Sequence, residues 1–92
     1  MPVLVRIPTP LRKVSNGADR AEVDATSVDQ IIAVLEQRYP GMRDRLVDET
    51  GDIRHFVNIY VNGEDVRFLK GRGTPVKAGD EVSIVPAVAG GR

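Results

Sequence analysis

The sequence contains no cysteine. Disulfides, thiolate nucleophiles and cysteine-ligated metals are therefore excluded. Any sulfur this protein handles has to sit on something other than a side-chain thiol. There is a single histidine, His55. It has no companions at ligand spacing, so it reads as a packing or solvent residue. Charge of one sign is also missing, because 13 basic and 13 acidic residues cancel. That removes the bulk positive field on which non-specific nucleic-acid binding depends. No segment approaches the roughly 20 apolar residues of a membrane span. The opening Met1-Pro2-Val3-Leu4-Val5-Arg6 lacks the basic region and long apolar run of a signal peptide. The expectation is a cytoplasmic protein whose partners are neither nucleic acid nor membrane.

What is present suits one small folded domain. The chain has 92 residues, 41% hydrophobic and 28% charged, which is enough for a single modest core. A deep, self-contained active site is hard to build at that size.

Val3-Leu4-Val5-Arg6-Ile7 reads as a strand stopped by Pro8 and Pro10. Asn16-Gly17 marks a turn, and Arg20-Ala21-Glu22-Val23-Asp24 is the return arm of a hairpin. Ser27 with Gln30 three residues on forms a capping-box pattern. Val28, Ile31, Ile32, Leu35 and Tyr39 then follow at helical spacing, up to Pro40-Gly41. Met42 to Leu46 suggests a further helical turn. The run His55-Phe56-Val57-Asn58-Ile59-Tyr60-Val61 is the most strand-like in the chain, and Asn62-Gly63 after it is a hairpin signal. Val66-Arg67-Phe68 suggests a short edge strand. Lys70-Gly71-Arg72-Gly73 is a loop, weak as a phosphate cradle because no helix follows it. Ala78-Gly79-Asp80 is a turn, and Glu81-Val82-Ser83-Ile84-Val85 is the last strand, closed by Pro86.

One helix covers only one face of a sheet, so the expected class is α+β: a mixed sheet packed on one main helix. Val3, Val5, Ile7, Val57, Ile59, Val61, Val82 and Ile84 should face that helix. Arg6, Phe56, Asn58, Tyr60, Ser83 and Val85 should lie on the open face. Aromatic residues on such a face make a candidate docking patch for a partner.

Residues 1–86 form the domain on this reading, and residues 87–92 a flexible tail. Ala87, Val88 and Ala89 are small and uncharged, and Gly90 and Gly91 carry no Cβ. From Pro86 to Gly91 a fully extended chain reaches roughly 20 Å at about 3.3 Å per residue, enough to enter a partner's pocket. Taken alone, such a stretch is more simply a loose chain end.

The motif Ala78-Gly79-Asp80-Glu81-Val82-Ser83-Ile84-Val85-Pro86-Ala87-Val88-Ala89-Gly90-Gly91 resembles the ending of the ubiquitin-like β-grasp sulfur carriers, the MoaD/ThiS family. The stretch from His55 to Asn62, with Glu64-Asp65-Val66-Arg67-Phe68 after it, is similar to one branch, the CysO-type carriers of cysteine biosynthesis. The resemblance implies a carrier protein rather than an enzyme. Its Gly91 carboxylate would be adenylated and converted to a thiocarboxylate. Val88, Ala89 and Gly90 would be threaded into partners, and Arg6, Phe56, Asn58, Tyr60 and Val85 would form the docking face. No cofactor would be bound, and ATP would be consumed by the activating partner. The implied partners are an E1-like adenylyltransferase/sulfurtransferase, a pyridoxal-phosphate-dependent (PLP) O-phosphoserine sulfhydrylase and a JAMM-type zinc peptidase. Arg92 follows the glycine pair, so Gly91 and Arg92 would form a processing site at which Arg92 is trimmed. Other roles in the same family are the small subunit of molybdopterin synthase, a carrier for thiamine or tRNA thiolation, and a protein modifier. An interaction domain with an idle tail is the alternative outside it.

Overall fold

A computed structural model of the chain describes residues 2–86. Seven elements carry the fold: β1 (Val3–Arg6), β2 (Arg20–Val23), α1 (Val28–Arg38), α2 (Met42–Leu46), β3 (Val57–Val61), β4 (Glu64–Asp65) and β5 (Glu81–Pro86). The strands form one sheet in the order β2-β1-β5-β3-β4. Only β1 and β5 run parallel; the other three pairings are antiparallel. The last strand is therefore inserted into the middle of the sheet, between the first and the third. The architecture is the ubiquitin-like β-grasp expected from the sequence.

Helix α1 begins where its chemistry says it should. The Ser27 side chain accepts a hydrogen bond from the backbone N–H of Gln30 at 3.2 Å. The other half of the expected capping box is shifted by one residue. Gln30 Oε1 accepts from the N–H and hydroxyl of Thr26, at 2.8 and 2.9 Å, rather than from Ser27. The stripe Val28, Ile31, Ile32 and Leu35 is buried, as the spacing predicts. Tyr39 caps the helix and packs at the edge of the core. Gly41 then takes φ +100°, a left-handed conformation that suits glycine. Glu36 accepts the N–H groups of Arg43 and Gly41, which starts α2 and holds its own carboxyl below its ordinary pKa.

The eight strand residues expected to face the helix are all buried: Val3, Val5, Ile7, Val57, Ile59, Val61, Val82 and Ile84. Met42, Leu46, Val66 and Val76 complete the core with them. The alternation of apolar and polar residues along each strand is enough to select this face.

Three local expectations need correction. First, β1 ends at Arg6, and the Pro8-Thr9-Pro10 stretch leads into a 3₁₀ turn, Thr9–Leu11, which buries Leu11. Second, β3 starts at Val57, not His55. The N–H of Val57 bonds to the carbonyl of Arg54 at 3.0 Å, closing a turn that keeps His55 and Phe56 out of the strand. Third, the edge strand is Glu64–Asp65, and Val66–Phe68 is a 3₁₀ turn capped by Asp65, whose Oδ1 accepts from Arg67 N–H at 2.8 Å. Burying Val66 in the core requires the chain to leave the sheet edge there.

Candidate functional site at the root of the tail

The position of β5 decides where the C-terminus leaves the domain. Its start is pinned by a short network. Asn62 donates from Nδ2 to Asp80 Oδ1 and accepts the N–H of Glu81, both at 3.0 Å. The N–H of Lys77 donates to Asp80 Oδ2 at 2.9 Å. The Asn62 amide, and after it the Lys77 N–H, hold the buried Asp80 carboxyl below its ordinary pKa. Asn62 takes φ +52° in the β3–β4 hairpin, where asparagine is tolerated. The Asn-Gly turn thus serves twice, reversing the chain and bracing β5.

At its other end β5 pairs Pro86 with Val57. Proline brings no N–H, so the ladder is not extended through it on the donor side. The root of the tail lies between two shallow grooves. One, of about 400 Å³, is lined by Pro10, Leu11, Arg45, Arg54, Phe56 and Pro86 among others. The second, of about 310 Å³, is lined by Arg6, Pro8, Arg12, Asp19, Ser83 and Val85 among others. Arginines outnumber carboxylates around both. Arg6 is held by an ion pair to Glu81, and Arg12 Nε reaches the carbonyl of Ile7 at 3.4 Å. A further groove of about 560 Å³, beside Val61, Leu69 and Val76, is at the opposite end of the sheet and takes no part in this site.

The expected docking residues are only partly brought together. Asn58 lies opposite Val85, and Tyr60 opposite Ser83, which in turn is paired with Arg6. These five share the open face of the sheet. Leu4, in register with Glu81, lies on that same face, where the strand alternation puts it with Arg6. Phe56 does not join them. It sits in the turn before β3, 49% exposed, and lines one groove together with Pro86, the Thr9–Leu11 turn and α2. The alternation that put it on the open face begins only at Val57. Val85, next to Pro86 in β5, is 44% exposed.

Val88, Ala89, Gly90, Gly91 and Arg92 lie outside the described residues, and the division at residue 86 falls at their limit. Among the described residues no three His, Asp or Glu side chains gather where a metal would bind, and no helix is long and apolar enough to cross a membrane. His55 is exposed in its turn. The Lys70-to-Gly73 loop is not arranged around an anion: Arg72 is engaged with Asp29 at 3.1 Å, and the Lys70 N–H with Thr74.

A five-stranded mixed sheet with the last strand inserted between the first and the third, packed on one main helix, defines the class of fold, the ubiquitin-like β-grasp. The ThiS family model matches residues 5–91. The sulfur carrier protein CysO of Mycobacterium tuberculosis is 45% identical over 93 residues, covering 99% of this chain and all of that protein. A chain of the crystal structure of the Amycolatopsis orientalis BexX/CysO complex superposes with a TM-score of 0.91 at 46% identity, over 97% of this chain and 99% of that one. Small archaeal modifier protein 3 of Haloferax volcanii is 40% identical over 72 residues, covering 78% of this chain and 76% of that protein. The chain belongs to the ThiS family, as a sulfur carrier protein of the ThiS/CysO type.

Proposed function

We propose that the chain carries sulfur as a thiocarboxylate on Gly91 and delivers it to cysteine biosynthesis in the cytoplasm. The observation that supports this most is the full-length similarity to CysO, taken with the exit of β5 at the sheet end. A carboxylate is a poor electrophile. An E1-like adenylyltransferase/sulfurtransferase would join the Gly91 carboxylate to AMP at the expense of ATP, with pyrophosphate leaving. A sulfur donor would then displace AMP, and one terminal oxygen is replaced by sulfur. The product is a sulfur nucleophile that needs no cysteine, and the sequence has none. This chain supplies a bare, reachable carboxylate, and the catalytic groups and cofactors belong to the partners.

In this reading the acceptor is a PLP-dependent O-phosphoserine sulfhydrylase, and a JAMM-type zinc peptidase releases cysteine from the carrier's C-terminus. The activating enzyme docks on the open sheet face around Asn58, Tyr60 and Val85 and on Phe56 at the tail root. Val88, Ala89 and Gly90 then enter its channel. Arg92 has to be removed first, because its charged side chain would be buried unpaired in a channel sized for glycine. Intact-mass spectrometry of the Gly91-ending protein, with ATP, a sulfur donor and the cognate activating enzyme, tests the proposal. Exchange of one oxygen for sulfur is the expected result; an unchanged mass refutes it.

A second reading is favoured by the 40% identity to small archaeal modifier protein 3. In it Gly91 is joined to lysines of other proteins. Its signature is a ladder of Gly91-linked conjugates in cell extract that disappears when Gly91 is deleted.

A further inference from the structure

At β4 the sheet runs out of partners for β3. Tyr60 pairs with Asp65 and Val61 with Glu64, and there the edge strand ends. Continued in register, the next residue on that side opposite Asn58 would be Arg67. The chain instead turns inward at Val66, which is fully buried, and Arg67 arrives through its side chain rather than its backbone. With the edge strand ended, the Val57 carbonyl has no strand partner on that side, and the Arg54 carbonyl has one donor, the Val57 N–H.

The Arg67 guanidinium adds a donor to each. Its Nη2 donates to the carbonyls of Arg54 at 2.7 Å and Val57 at 2.8 Å, with a longer contact to His55 at 3.4 Å. Its Nη1 donates to Asn58 Oδ1. Among the described residues it makes no ion pair. Nη2 alone holds the carbonyls on both sides of Phe56, and Nη1 holds Asn58 Oδ1, so one planar group ties the turn of residues 54–57 to the start of β3. Lys carries the same charge on a single nitrogen and cannot make both sets of bonds in this planar arrangement.

We propose that Arg67 is a positioning residue. It replaces the missing edge-strand bonds, locks the turn of residues 54–57, and so fixes Phe56 beside Pro86 at the root of the tail. The consequence for docking rests on the carrier reading above; the clamp itself does not. Arg67 acts from the far edge of the sheet, without needing to touch the partner.

Two variants test it, Arg67→Lys and Arg67→Met, each alone and combined with Phe56→Ala. Amide hydrogen exchange reads the clamp directly. The bonded amides of the turn, Arg54 and Val57, are expected to exchange at least about tenfold faster in both variants, while those of β1 and β2 keep their rates. Activation kinetics with the E1-like partner read the consequence. The KM for the carrier is expected to rise about fivefold in an otherwise wild-type chain and less than twofold when Phe56 is already alanine. Unchanged exchange in the turn would overturn the clamp. Accelerated exchange with an equal KM rise in both backgrounds would overturn positioning through Phe56. Failure of the wild-type carrier to be thiolated at all would count against the carrier reading, and the exchange measurement would still decide the clamp.

Discussion

Truncating Phe56 to alanine separates its two roles. The residue is 49% exposed, so about half of its surface is packed within the domain. An aromatic side chain presents on the order of 200 Å², which leaves about 100 Å² on each side of the division. At about 25 cal/mol per Å², the packed half stabilises the fold by at most ~2.5 kcal/mol. The exposed half is worth up to a similar ~2.5 kcal/mol if the activating enzyme covers it, or roughly 60-fold in Kd. Alanine keeps the Cβ, and buried area converts imperfectly into affinity, so about 1–2 kcal/mol on each axis is the expected outcome. Phe56→Ala should therefore lower the urea midpoint moderately while remaining folded at 25 °C, and weaken the partner by about 5- to 30-fold. Urea unfolding followed by circular dichroism gives the first number, and titration calorimetry with the activating enzyme gives the second. A fall in stability with a Kd changed less than twofold would show that the ring serves packing alone.

Tyr60→Asp places a carboxylate in the middle of the open face beside Ser83; activation is expected to drop at least about tenfold with the circular dichroism spectrum unchanged, and loss of fold instead would place the ring in the core. Gly91-ending and Arg92-ending proteins, compared without any peptidase, should differ sharply in adenylation; equal adenylation, with AMP on Arg92, would show that trimming is unnecessary. Ser27→Ala removes the oxygen that accepts the Gln30 N–H and should cost about 1 kcal/mol of stability, read as a lower urea midpoint. Asp80 has a folded pKa below its unfolded one, so its contribution is present above the unfolded value and is lost as pH falls through the folded value. The stability gap between wild type and Asp80→Asn should therefore be full near pH 7 and shrink below about pH 4; a gap that grows on acidification would reverse the assigned sign.

Much of this molecule is legible without coordinates, because the information is local. Alternation along Val3-Leu4-Val5, Val57 to Val61 and Val82 to Ile84 states which strand residues face the core. The Ser27 cap and the Val28-to-Leu35 spacing state the main helix, and Asn62-Gly63 states the hairpin. The small, uncharged run at the end names the part to watch, and the missing cysteine says where sulfur cannot be held. Tertiary structure decided the rest, because it depends on which distant segments meet. Insertion of β5 between β1 and β3 joins residues about 80 apart in sequence and sets where the tail emerges. Phe56 left the open face because Val57 closes a turn onto Arg54 before the strand begins. Arg67 reads as an ordinary charged residue of an edge strand. Its role exists only because burying Val66 ends that strand early and turns its side chain onto carbonyls ten or more residues away.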